Sequence, residues 1–305
     1  MSPVASHLGE LEVIDRRTGE FGATFPTELL TCRLDTGDEV AVLVKRAGGI
    51  EHDCYGHRGG VAYEALVYAE VLEALGLSTP TLYACHTNGD PREAWLAVEY
   101  LPGTERLNRH VDADEALVCA AGWIGRFHAA GAELPGSTLD LLNRYDAAYY
   151  AGWSRRTLEF VEDGDRRYPW LRGLCERFED EWASMLASRR VTTIHGEFYP
   201  RNILVRDGSV HPIDWESAAL AAGEIDLVAL IDGWPDDVVE RALAAYVDAR
   251  WGGQAPGDFA SLCDAARLYV GLRWLGDRPY WTNLDTSDYD FRALCATGRR
   301  LGLIA

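Results

Sequence analysis

The stretch Ile194 to Glu216, I-H-G-E-F-Y-P-R-N-I-L-V-R-D-G-S-V-H-P-I-D-W-E, constrains this chain more than any other. Asn202 to Arg206 and Ser209 to Ile213 read as short strands around Asp207-Gly208, a strong signal for a two-residue hairpin. In that register the open end of the hairpin brings Asn202 close to Asp214. An amide oxygen and a carboxylate so placed form a hard oxygen site suited to magnesium held partly by substrate phosphates. Glu197 lies five residues before Asn202, on the loop leading into the hairpin, where it can meet an incoming hydroxyl.

A second constraint lies upstream. Of 29 basic residues, 28 are arginine and one, Lys45, is lysine. Lysine serves phosphate as a flexible point charge where a planar guanidinium fits poorly. Lys45 closes the run Glu39 to Lys45, E-V-A-V-L-V-K, which the β-branched residues and the alternation predict as a strand. Val40, Val42 and Val44 take one face, and Ala41, Leu43 and Lys45 the other. Leu29 to Leu34 is the expected antiparallel partner, joined through the turn Asp35 to Asp38. A helix is expected from Val61 to Leu75, with Val67, Tyr68, Val71, Leu72 and Leu75 on one apolar face and Glu64 near its middle. A carboxylate on a packed face needs a partner, and Lys45 is available.

Ala94 to Tyr100 predicts another strand, broken by Leu101-Pro102-Gly103. At 305 residues the chain exceeds what one core usually serves. The break therefore divides an expected β-rich N-lobe with one helix, residues 1–100, from a larger helical C-lobe, residues 101–305, in a bilobal α+β fold. A helix is expected around Glu115 to Ala130, with Phe127-His128 near its end, where an isolated histidine reads first as a packing residue.

Composition narrows the classes. A formal charge of −19 opposes nucleic acid and anionic membranes and would favour a cationic small-molecule partner. There is no membrane-length apolar run and no signal-peptide pattern, so a cytoplasmic location is expected. Seven cysteines, with no C-x-x-C pair, argue against a disulfide framework and a zinc site.

The pattern His195-Gly196-Glu197, Asn202, then Ile213-Asp214-Trp215-Glu216 resembles the aminoglycoside phosphotransferase and choline kinase-like enzymes, relatives of the protein kinases. Their signature is H-G-D-x-x-x-x-N followed by I-D-W or I-D-F. Phe127-His128 is similar to the Leu-His that ends the first helix of their large lobe, and Gly223 to Leu227 to their G-x-x-D-L segment, whose aspartate braces the catalytic loop. The resemblance implies a protein-kinase-like fold, ATP and magnesium as cofactors, and transfer of phosphate to a small-molecule hydroxyl. By position, Lys45 would contact the α- and β-phosphates and pair with Glu64, and backbone groups near Glu99 and Leu101 would receive adenine. Asn202 and Asp214 would ligate magnesium, while His195 would brace the loop.

Glu197 stands where the family places its catalytic aspartate. This substitution leaves a second reading beside the enzyme: a nucleotide-binding pseudokinase with a partner-binding role. The segment Gly19 to Pro26, where the family covers the phosphates, is not a G-x-G-x-x-G loop. For the acceptor, the aromatic and polar runs Asn143 to Phe160 and Trp274 to Asp290 suit an amino-sugar or another hydroxylated cation, with Asp285, Asp288 and Trp281 as contacts.

Overall fold

In the computed structural model, residues 12–18, 24–48, 55–87 and 89–304 are described. Residues 19–23, part of the segment Gly19 to Pro26 expected to cover the phosphates, lie outside them. The chain forms two units by contact, residues 1–120 with 199–218 and residues 121–198 with 219–305.

The first unit is built on a five-stranded antiparallel sheet in the order β1-β2-β3-β5-β4. Its strands are β1 (Glu12–Thr18), β2 (Thr27–Arg33), β3 (Glu39–Arg46), β4 (Leu82–His86) and β5 (Trp95–Glu99). The valine alternation read from the sequence sets which side of β3 is buried. Val42 and Val44 join Leu30, Cys32 and Ala97 in a core, with Val40 and Trp95 packed against it. Lys45 projects from the alternate side of the strand, as the two-residue period requires. The helix α1 (Gly60–Val67) continues through a π turn, Tyr68–Leu72, to Leu75 and packs on β5. Val61, Glu64, Ala65, Val67, Tyr68, Val71 and Leu72 are buried along it, whereas Glu70 and Glu73 are exposed.

The hairpin also belongs to this unit. Strands Ile203–Arg206 and Ser209–Pro212 pair in the register expected, and a short strand, Glu105–Arg106, pairs along the outer edge of the first. Asp207 and Gly208 both hold positive φ, 50° and 73°, as a type I′ turn demands.

In the second unit the helix Phe259–Gly276 is central, packing against the helices Ala147–Phe160, Glu224–Ile231 and Asp288–Arg300. A small sheet orders Asn143–Arg144, Ala219–Ala222 and Val191–Ile194, and the last of these feeds the His195-Gly196-Glu197 loop. Close backbone approach is enforced at Gly125, where an added Cβ would lie 2.8 Å from the Tyr246 carbonyl oxygen. Among the described residues no helix is long and apolar enough to cross a membrane.

Candidate active site

In the first unit, β3, α1 and the end of the hairpin converge on one ammonium. Lys45 Nζ donates to Glu64 Oε2 and to Asp214 Oδ1, each at 2.7 Å. The ring of Phe25 lies 5.3 Å from the same nitrogen. Burial alone would lower the lysine, but the carboxylates of Glu64, Asp214 and Glu216 outweigh it and hold the ammonium well above the ordinary lysine range. Burial pushes Glu64 upward, offset in part by Lys45 and by the Trp215 N–H donated to Glu64 Oε1 at 3.3 Å. The Asp214 side chain is 36% exposed against 4% for Glu64, so of these two carboxylates Asp214 is the one open to solvent.

Asp214 also holds a left-handed backbone, φ 71° and ψ 61°. A non-glycine residue in that region is uncommon and costs on the order of 1–3 kcal/mol, which a fold sustains where the side chain must be aimed. Across the open end of the hairpin, Ile213 N–H donates to the Asn202 carbonyl at 2.9 Å, so Asn202 and Asp214 flank one another in register. Amide and carboxylate oxygens are hard donors that fit magnesium when phosphate oxygens complete the shell.

Glu216 adds a third carboxyl to this cluster, and sequence reasoning gave it no role. It is buried, its Oε2 has no hydrogen-bond partner among the described residues, and Arg58 lies 3.9 Å from its Oε1. Burial, only partly offset by Lys45 and reinforced by Asp214 and Glu64, pushes its carboxyl up to about 8. Its place two residues after Asp214 was the available signal.

At the end of β5 the Glu99 N–H donates to the Thr81 carbonyl, while the Thr81 N–H and hydroxyl turn to the Glu99 carboxylate. The Leu101 carbonyl accepts from the Thr104 hydroxyl at 2.9 Å, closing the Pro-Gly turn that ends the strand.

The second unit builds the loop that carries Glu197. Asp226, fully buried, accepts from the His195 N–H at 2.6 Å and the Gly196 N–H at 2.9 Å. Gly196 makes this possible by adopting φ 84°. His128 Nε2 lies 3.1 Å from Asp226 Oδ2, and since a carboxylate only accepts, the proton sits on Nε2. Nδ1 then accepts from the Tyr246 hydroxyl at 3.0 Å. The histidine read as a packing residue is thus the hub of the loop's brace.

Burial pushes the His128 imidazole down to about 4, against the pull of Asp226. Its unfolded value is near 6.5, so between these values the unfolded chain binds the extra proton and stability rises with pH, by at most about 1.4 kcal/mol per unit. A His128→Gln protein should lose that component. Its thermal midpoint should fall less than the parent's between pH 7 and pH 5, and parallel curves would refute the assignment.

Glu197 itself is 3% exposed. Its N–H donates to His195 Nδ1 at 3.3 Å, and its Oε1 accepts from Arg273 Nη1 at 3.4 Å. Arg273 was missed in the sequence, although a charge inside L-Y-V-G-L-R-W-L-G signals a buried partner. The nominated acceptor residues show local partners: Asp288 accepts from the Tyr168 hydroxyl, and Trp281 lies under the Arg278 guanidinium. Asp285 is exposed in a short 3₁₀ turn.

A sheet lysine tied to a helix glutamate and to the aspartate after a hairpin follows the plan of the protein-kinase-like fold. Solved structures share that fold. The chain is similar to a macrolide 2′-phosphotransferase from Brachybacterium faecium, with 23% identity, 94% of each chain covered and a TM-score of 0.61. It is similar to choline kinase from Streptococcus pneumoniae, with 13% identity over 95% of this chain and 94% of the other, TM-score 0.61. A thermostable mutant of an aminoglycoside phosphotransferase, in complex with ADP and hygromycin B, aligns at 15% identity over 94% of each chain, TM-score 0.64. By its sequence family the chain is a small-molecule kinase. The chain belongs to the phosphotransferase enzyme family, whose sequence profile matches residues 62–260. Lys45 and Arg273 lie outside that span, and no curated protein matches the chain.

Proposed function

We propose that the protein transfers the γ-phosphoryl group of ATP, bound with magnesium, to a hydroxyl of a small molecule such as an amino-sugar, an aminoglycoside-like antibiotic or another hydroxylated metabolite. The observation that carries this reading is Lys45 set 2.7 Å from both Glu64 and Asp214. Such an ammonium is ready to exchange Asp214 for the α- and β-phosphates while Glu64 keeps its hold. Asn202 and Asp214 would hold the magnesium, which neutralises phosphate charge when bound. The backbone near Glu99 and Leu101 would receive adenine, and because the Glu99 N–H is already committed to Thr81, the base would be read by the Glu99 carbonyl and the Leu101 N–H.

Glu197 is the proposed base. As the acceptor O–H bond breaks, its proton passes to the Glu197 carboxylate and the oxygen bonds the γ-phosphorus. The electron pair of the broken P–O bond leaves with ADP. Positioning and charge neutralisation supply most of the acceleration in such transfers. The net charge of −19 supports a cationic acceptor, and Asp285, Asp288 and Trp281 remain the proposed contacts. The structure with ADP and hygromycin B supports a nucleotide and an amino-sugar as the pair to try first.

A pseudokinase is the second reading, favoured by the Arg273 guanidinium already opposite Glu197. Incubation with labelled ATP and a panel of amino-sugars, amino alcohols and sugars separates the two. Label moving to one acceptor is expected, and Mg-ATP binding by calorimetry with no transfer across the panel would sink the enzyme.

A further inference from the structure

We infer that Arg273 is a positioning residue for phosphoryl transfer, holding the Glu197 side chain ionised and aimed so that a longer acid works where an aspartate usually stands. This rests on the reading of Glu197 as the base.

The argument begins with burial. Glu197 is 3% exposed and Arg273 1% exposed. A carboxyl so enclosed takes up a proton near neutral pH unless a cation or several donors oppose it, and a protonated base accepts nothing. A guanidinium on the buried side of a helix between Leu272 and Leu275 is costly in the same way and is kept where a partner repays its lost water. The two buried charges stand together, with Arg273 Nη1 3.4 Å from Glu197 Oε1.

Several other titratable groups of this unit have partners of their own. His195, on the loop itself, turns Nδ1 to the Glu197 N–H. Asp226, from the helix Glu224–Ile231, is spent on the His195 and Gly196 N–H groups. Tyr149, from the helix Ala147–Phe160, bonds the Tyr269 hydroxyl at 3.2 Å, and burial pushes its phenol up to about 12, so it stays neutral beside Arg273. Asp277 lies one turn beyond Arg273 at the end of the central helix and is itself buried. Arg273 Nη1 is a cation at hydrogen-bond distance from the Glu197 carboxylate.

Geometry adds a second role. Glutamate has one more rotatable bond than aspartate, and a displacement of about 1 Å at the reacting group can cost on the order of a hundredfold. The Arg273 fork is planar, and its Cζ lies over the Trp274 ring, 4.8 Å from the centroid. A guanidinium oriented in this way fixes one carboxylate oxygen, while proton transfer needs only the other.

The test does not require the natural acceptor. In protein labelled with ¹³C at the glutamate carboxyls, the Glu197 resonance is assigned by its loss in Glu197→Gln and titrated in the parent, Arg273→Met and Arg273→Lys. The midpoint should rise by about one pH unit or more in Arg273→Met and stay near the parental value in Arg273→Lys. With an acceptor in hand, the acidic limb of kcat should move up by the same amount in Arg273→Met, with kcat at neutral pH down about tenfold and the KM for ATP unchanged. An arginine that only stabilises the helix would lower the thermal midpoint and leave the Glu197 titration in place. An unmoved midpoint in folded Arg273→Met overturns the inference. Should that variant not fold, Arg273→Gln is read by the same criterion. Full turnover in Glu197→Gln would instead remove the base assignment, a failure visible separately from the titration.

Discussion

Glu197→Gln should lower phosphoryl transfer by about a hundredfold to ten-thousandfold, the usual contribution of a general base, while Mg-ATP affinity stays near the parental value. Glutamine keeps the shape and one acceptor oxygen but cannot take the acceptor's proton. It also removes a counter-charge from the buried Arg273, so the variant should lose some thermal stability, and Mg-ATP affinity is the control that separates this from lost chemistry. Glu197→Asp is the companion. If the loop and Arg273 are set for the longer arm, aspartate falls short and transfer drops here as well. A strong rise with aspartate would instead identify the parent as a damaged enzyme close to a pseudokinase.

Asp214→Asn should abolish magnesium-dependent nucleotide affinity, the second large effect expected. The substitution removes the charge of the proposed metal ligand but keeps an oxygen at the end of the hairpin, and asparagine tolerates the left-handed backbone that Asp214 holds. Lys45 would lose one of two carboxylate partners yet retain Glu64, so the thermal transition of the nucleotide-free protein should shift little. Calorimetric titration of ATP with and without magnesium checks this. Equal magnesium-dependent affinity in variant and parent would remove Asp214 from the metal site.

Local chemistry made much of this legible in advance. The valine alternation of β3, the Asp207-Gly208 turn and the apolar face around Glu64 each follow from short-range rules, and the structure has the strand, the hairpin register and the buried glutamate. Strand β1 was not legible: E-V-I-D-R-R-T is exposed along its whole length and is a strand because it pairs with β2. The π turn at Tyr68–Leu72 likewise has no local signature in an ordinary helical run. Arg273 and Glu216 escaped because their meaning is tertiary. Arg273 takes its role from a loop 76 residues away, and Glu216 from a lysine on β3. His128 was undervalued for the same reason, since a brace exists only once Asp226 and Tyr246 arrive beside it.

The solitary lysine has a consequence for covalent labelling. Amine-directed acylating reagents attack only the unprotonated nitrogen, and this chain offers them one side-chain target, held protonated between two carboxylates. The resting protein should therefore be almost silent to such reagents along its side chains. Whatever neutralises Glu64 or Asp214 would switch on a single, mass-resolved modification at Lys45. A reactive acyl group carried on the phosphate of a nucleotide analogue would then report occupancy of the Lys45 site with no competing lysine anywhere in the sequence.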